Sequence, residues 1–352
     1  MKVTVSKYLN VRVGAPRLDA PNYQYLAPGS ILEVDGKLYQ GQPYDGNTVW
    51  FRDLANNYYW SGGVANSQQL IEGINGGNPE IHELPWHIVD FGIHEKWNTT
   101  KGDGVNIAIL DSGCYPHDNF VEQINSRTNF LNGFQNIKDN EGHGTFITGI
   151  IASNGIEGIF GVAPKVQLHI GKIINRNSDG LNPNVVASAI NHYSDKVDII
   201  NLSLGFMQDH KVVRDAVDNC QALVVAAHGN DSTQKRTKGD YPALNENCLA
   251  VGSLGLKDGK MVFSDELIRA SGIDIVAPGE DIRSTYKDGK IHTDSGSSMA
   301  TAYVSGVLAL LKSEQPHKHI MEIKDDLLAA SNIITENNFN VQLINLPKDL
   351  LI

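Results

Sequence analysis

The chain has 352 residues, 41% hydrophobic and 20% charged, which excludes a disordered polymer and leaves room for one large domain and a small one. A formal net charge of −11 excludes general affinity for nucleic acid, which needs a basic footprint, and serves chiefly solubility. Cys114, Cys220 and Cys248 are too few for a disulfide framework and share no metal-type spacing, so they read as packing thiols of a reducing compartment.

The opening, MKVTVSKYLNVRVG, has no continuous apolar core of signal-peptide length, and no run of about 18 apolar residues follows it. The expectation is a cytoplasmic protein with no membrane partner, with non-standard secretion as the alternative. Through about residue 65, short β-rich runs alternate with turn signals: LNVRVG, APGSILEV, LYQGQPYDG, TVWFRDL and NYYWSGG. Short strands at this spacing predict a small β-barrel over 1–67. A polar, glycine-containing stretch follows, and 68–82 is predicted to be a linker.

Beyond it, over 83–352, the texture changes. VNIAIL, VQLHIGKII, DIINLSL, ALVVAAH and CLAVGSL are apolar, mostly β-branched runs suited to strands buried on both faces. Helical stretches such as NPNVVASAINHYSDK and KVVRDAVDNC lie between them. This alternation predicts an α/β domain of three layers, a mostly parallel sheet covered by helices on both sides.

Three segments carry chemistry. In IAILDSG, Asp111 ends an apolar strand, and the carboxyl ends of parallel strands form the ligand crevice. In NEGHGTFITGIIAS, His143 stands between glycines at the start of an apolar helix. In DSGSSMATAYVSGVLALL, Ser298 opens a long apolar helix. Singly, these read as a helix cap, a structural histidine and an N-cap. Together, in the order Asp, His, Ser, they resemble the active-site signatures of the subtilisin-like (subtilase) serine peptidases. GVAPKVQLHIGKI, NLSLG and DIVAPG resemble further family segments, and the likeness runs from about Glu83 to Ile352.

The resemblance implies a serine endopeptidase acting on proteins or peptides through an acyl-enzyme. Ser298 would be the nucleophile, His143 the base that activates it, and Asp111 the group that fixes the imidazole. Asn230, in ALVVAAHGND, would donate to the oxyanion. The competing reading is a catalytically idle scaffold that keeps the fold and acts through its N-terminal domain. No cofactor and no metal is expected, because SNGIEGIF, where the family places a calcium loop, carries few oxygen side chains. Ser297 stands where the family usually has Thr, and Ala302 and Tyr303 where Pro and His are common, which questions the local helix geometry.

The same resemblance implies a substrate pocket walled by Ser203-Leu204-Gly205 and by a second segment that includes Ala227 and Gly229, with Asp240 at its base and Asp231 at its rim. A carboxylate there would favour Lys or Arg before the scissile bond, unless Lys235, Arg236 or Lys238 neutralises it locally. The Tyr241-Pro242 bond is expected to be cis. The N-terminal domain resembles bacterial SH3 domains through LNVRVGAP and its tryptophan-bearing strand, which implies a peptide or cell-wall ligand, or a regulatory contact with the peptidase.

Overall fold

The computed structural model describes residues 2–35, 37–45, 47–67, 84–131, 136–175, 180–336 and 338–346. The chain divides into two compact units, Met1–Leu84 and Pro85–Ile352. The linker predicted over 68–82 lies outside the described residues.

The first unit holds β1 (Lys2–Thr4), β2 (Leu9–Val13), β3 (Asn22–Leu26), β4 (Ile31–Glu33), β5 (Tyr39–Tyr44), β6 (Asn47–Arg52) and β7 (Asn57–Trp60). These form a five-stranded sheet in the order β3-β2-β7-β6-β5 and a two-stranded sheet, β1-β4. Val3, Leu9, Val11, Trp50, Phe51 and Tyr59 belong to its core. The predicted barrel does not close among the described residues. Beyond the two ladders, Val5 meets Val64 and Val34 meets Asp53 only as single bridges. Alternation in sequence decides which face of a strand is buried, but not which strand edges meet.

The second unit is built on β8 (Asn106–Asp111), β9 (Ile124–Asn129), β10 (Gln167–Lys172), β11 (Ile174–Asn175), β12 (Gly180–Leu181), β13 (Ile199–Leu202), β14 (Leu223–Ala227), β15 (Cys248–Lys257), β16 (Lys260–Phe263), β17 (Ile275–Pro278), β18 (Ile282–Thr285), β19 (Ile291–Asp294), β20 (Asn332–Glu336) and β21 (Phe339–Leu343). The main sheet runs β20-β21-β17-β15-β14-β13-β8-β10-β9, with β16 paired to β15. Every step from β21 to β9 is parallel; β20 and β16 pair antiparallel.

Helices α1 (Trp86–Val89) and α2 (Ile93–Lys96) lead into this unit. The longer helices are α3 (His143–Ala152), α4 (Pro183–Tyr193), α5 (Lys211–Asp218), α6 (Ser297–Glu314) and α7 (Ile320–Ala330). Alternate strand residues, such as Ile200, Leu202, Val224 and Ala226, share a core with Val186 and Ile190 of α4 and Val213 and Val217 of α5. On the other side α6 packs on β13, β14, β15 and β17, and α3 packs against α6. Met299 through Leu311 of α6 are buried without a break. A helix apolar all round belongs inside, and this one fixes its first turn, where Ser298 sits, to the sheet.

Candidate active site

Asp111 is the last residue of β8 and is 1% exposed. Both of its carboxylate oxygens lie 2.9 Å from His143 Nδ1. His143 opens α3, and the turn before it is folded by Asp139. Asp139 Oδ1 accepts from Ser112 Oγ (2.9 Å), Glu141 N (3.0 Å) and Gly142 N (2.8 Å). Its Oδ2 accepts from Thr145 N (2.9 Å) and Thr145 Oγ1 (2.7 Å). Ser112 Oγ in turn accepts from Gly144 N at 2.9 Å. One buried carboxylate thereby joins the residue after Asp111 to the residues on both sides of His143.

Lys172, paired in register with Asp111 across β10 and β8, closes this cluster. Its ammonium donates to Ser112 O and to Lys138 O, each at 2.7 Å. Burial lowers its pKa, and the nearby charges of Asp139, Glu141 and Asp111 oppose that shift. Cys114 is buried beside the cluster, and desolvation pushes its thiol up to about 12, so it is an inert packing group.

Ser298 lies in the first turn of α6, where the helix offers its N–H no acceptor. Its hydroxyl donates to Ser203 O at 2.8 Å, and Ser203 Oγ donates to Ser298 O at 2.9 Å. Asn201 Nδ2 donates to Ser203 Oγ at 3.0 Å, and Asn201 Oδ1 accepts from Ser305 Oγ at 3.0 Å. The end of β13 is thus pinned to α6 at two levels. Asn230 is held from the other side, its Oδ1 accepting from Ser297 N at 2.9 Å. Gly296 has φ +143°, and a Cβ there would come within 2.7 Å of Asn230 Nδ2. The bare backbone at Gly296 is what lets this amide lie against the start of α6.

The segments expected to wall a pocket lie on either side of Asp240. Asp240 N donates to His228 O at 2.8 Å. Tyr241 and Phe206 exchange backbone hydrogen bonds at 2.8 and 2.7 Å. A Cβ on Gly205 would come within 2.7 Å of Asp240 Cβ, and one on Gly229 within 2.4 Å of Asp240 Oδ2. Leu204 is half-buried against the α4–α5 core, and Ala227 is buried at the end of β14. The Tyr241-Pro242 bond is cis.

Asp240 is not a bare carboxylate, since Arg236 Nη2 donates to its Oδ1 at 2.6 Å. Of the other two basic residues expected here, Lys238 lies over the Tyr241 ring, 4.8 Å from its centroid. Asp231 faces its own loop, where it accepts from Thr233 N (2.9 Å), Thr233 Oγ1 (2.6 Å), Lys235 N (2.7 Å) and Arg236 N (2.5 Å). Those bonds, the Thr233 hydroxyl first among them, hold its carboxyl down to about 2.

The sequence profile of the subtilase family matches residues 102–342. The chain belongs to the subtilase family. It is a subtilisin-like serine endopeptidase, a class that acts on proteins and peptides. Over 247 residues it is 37% identical to the major intracellular serine protease of Bacillus subtilis (strain 168), covering 66% of this chain and 76% of that protein. Over 245 residues it is 36% identical to an intracellular serine protease of Paenibacillus polymyxa, covering 66% of this chain and 74% of that one. Among solved structures, sphericase superposes with a TM-score of 0.62 at 29% identity, covering 71% of this chain and 90% of that chain.

The positions where this subtilase departs from the common family pattern leave α6 intact. Ala302 and Tyr303 are buried within the helix, and Tyr303 Oη donates to His87 O at 2.7 Å. Sequence reasoning overlooked Asp139, Ser112, Lys172, Asn201 and Ser305, and named Ser203 only as a pocket wall and not as the residue that bonds to Ser298. Asp139, four residues before His143 and six before Thr145, carries a recognisable helix-start signal. The others act across elements distant in sequence, and no local spacing marks them.

Proposed function

We propose that Asp111, His143 and Ser298 are the catalytic triad of this endopeptidase and that Asn230 supplies an oxyanion donor. The reading rests above all on the Asp111–His143 pair. An ionised carboxylate only accepts hydrogen bonds, so the imidazole carries its proton on Nδ1 and turns the Nε2 lone pair outward. Ser298 Oγ, turning from Ser203 O toward that lone pair, gives up its proton as it attacks the scissile carbonyl. Asp111 stabilises the imidazolium without itself being protonated. Asn230 Nδ2 and Ser298 N–H donate to the developing oxyanion. Collapse of the tetrahedral species expels the amine, which takes the proton from His143 and leaves an acyl-Ser298. Water, activated by the same imidazole, then releases the acid.

Ser298→Ala, His143→Ala and Asp111→Ala are each expected to lower turnover by about 10⁴-fold or more while leaving the fold intact. Because the three act as one device, a triple variant should be little worse than the single variants. A fluorophosphonate probe should label wild type and not Ser298→Ala. Near-normal turnover in any single variant would overturn the assignment.

Asp240, lying between Gly205 and Gly229, gives the pocket a bias toward Lys or Arg before the scissile bond. The names of the two bacterial relatives support a cytoplasmic site of action, which fractionation of native cells would test; among the described residues no helix is long and apolar enough to cross a membrane. The first unit, which leaves Tyr8, Tyr25 and Tyr44 exposed, is read as an SH3-like binding module for a peptide or cell-wall ligand. Full-length Ser298→Ala should be retained on cell-wall or peptide matrices and lose that retention when the three tyrosines are replaced by alanine; equal retention of both would remove the reading.

A further inference from the structure

We infer that Arg236 is a specificity-determining residue: a built-in counter-ion that offsets the charge of the pocket carboxylate of Asp240 and so limits the preference for basic substrates. The inference rests on the assignment of the pocket above and refines it.

The pair is built into the fold. The Arg236 and Asp240 side chains are 25% and 15% exposed, so both charges are substantially withdrawn from water. At 2.6 Å, in that setting, the bond is charge-assisted and stronger than an exposed ion pair. Asp240 lies close against the backbone at Gly205 and Gly229, where any added side chain would collide with it. Its backbone is tied to His228 O, and the next residue, Tyr241, is bridged to Phe206.

Arg236 is placed just as deliberately. Its backbone N–H donates to Asp231 Oδ2 at 2.5 Å, and Asp231 is the residue that follows Asn230. Asp231 N donates to Glu266 O at 2.8 Å, and Gln234 Nε2 donates to Asp231 O at 3.0 Å. The loop is therefore anchored at the residue beside the oxyanion donor, and from that anchor it delivers a guanidinium to the pocket base.

The consequence for substrate choice follows from charge. A bare carboxylate in a narrow pocket attracts a lysine or arginine side chain and repels a glutamate. A carboxylate already paired with a guanidinium does neither strongly. Arg236 engages Oδ1, while Oδ2 lies on the Gly229 side. A basic side chain is thus received at one oxygen of a shared carboxylate, and competes with Arg236 for its charge.

The test uses the full chain and peptides that differ only in the residue before the scissile bond: Lys, Leu and Glu. Active sites are first counted by burst titration, so that kcat/KM refers to competent enzyme. Arg236→Ala is expected to raise the Lys-to-Leu ratio of kcat/KM about tenfold over wild type, the scale set by unmasking one charge at a half-buried site. Arg236→Gln, which keeps most of the side-chain stem, should give a smaller rise in the same direction. Asp240→Asn, which leaves the guanidinium unpaired, should lower the Lys-to-Leu ratio and raise the Glu-to-Leu ratio several-fold. In the double variant the gain from losing Arg236 should vanish.

A Lys-to-Leu ratio that is unchanged or lowered in both Arg236 variants would overturn the inference. So would a rise that persists in the double variant, because Asp240 would then not be its source. Failure of the triad assignment would be seen elsewhere, as peptide hydrolysis surviving in Ser298→Ala.

Discussion

Two aspartates organise the two sides of the proposed active site, and they do so differently. Asp139, 1% exposed, gathers donors from the turn before His143, from the first turn of α3 and from Ser112, which lies 27 residues earlier, just beyond the end of β8. Asp231, 8% exposed, gathers donors only from the five residues that follow it. Asp139 thus locks the Asp111–His143 pair to the sheet, and Asp231 shapes a local loop that offers Arg236 to Asp240. On the proposed assignment, chemistry that tolerates little displacement would be fixed to the core, and selectivity carried by a loop that can change without disturbing it.

The sharpest way to break this comparison is Asp139→Ala. The substitution strands the buried N–H groups of Gly142 and Thr145 and the hydroxyl of Ser112, and takes a counter-charge from beside Lys172. An unpaired buried donor costs about 1–3 kcal/mol, so unfolding in urea should show a loss of about 3 kcal/mol or more. Turnover should fall with it, since the turn that presents His143 is released. A loss below about 1 kcal/mol would mean that the loop stands without Asp139.

Asp231→Asn should do less. Its donors are near the surface and can turn to water, so a smaller stability loss than that of Asp139→Ala is expected in the same urea unfolding, together with a higher Lys-to-Leu ratio as Arg236 loosens. The wild-type loop should also respond to acid. The Asp231 pKa is about 2 in the folded chain against 3.8 ordinarily, so its contribution is fully present above the ordinary value and is lost as pH falls through about 2. Amide exchange at Lys235 and Arg236, corrected for intrinsic rates, should accelerate across that window in wild type. In Asp231→Asn it should already be fast at higher pH and show no such step.

Much of the second unit was legible in sequence because its strands are buried on both faces. VNIAIL became β8, CLAVGSL became part of β15, and NPNVVASAINHYSDK became α4, each within a few residues of the run that announced it. The stretch VQLHIGKII was read as one strand but divides after Lys172 into β10 and β11. Asp111, His143 and Ser298 were legible as motifs, each at the end or the start of a patterned element. Arg236 was visible as one of three basic residues near Asp240; which of them reaches the carboxylate depends on how Asp231 folds the loop, and periodicity does not encode that. The barrel expected at the N-terminus is not closed among the described residues for a related reason. Its strands were announced one by one, but closure depends on pairing between edges far apart in sequence.

The turn at Asp231 bears on how long the enzyme survives its own activity. Under the proposed preference for Lys or Arg, this chain carries suitable bonds in the same segment, at Lys235, Arg236 and Lys238. Proteolysis requires a segment to open and lie extended in a cleft, at a rate set by how often it does so. Here the amides of Lys235 and Arg236 are both bound by one carboxylate, and Gln234 sits at φ +53° in the bend before them. These bonds hold the loop bent, whereas cleavage would need it extended. On the proposed pocket assignment, the bonds that place Arg236 over Asp240 also protect the loop, so a variant that frees the arginine and sharpens the preference for Lys is expected to digest itself faster.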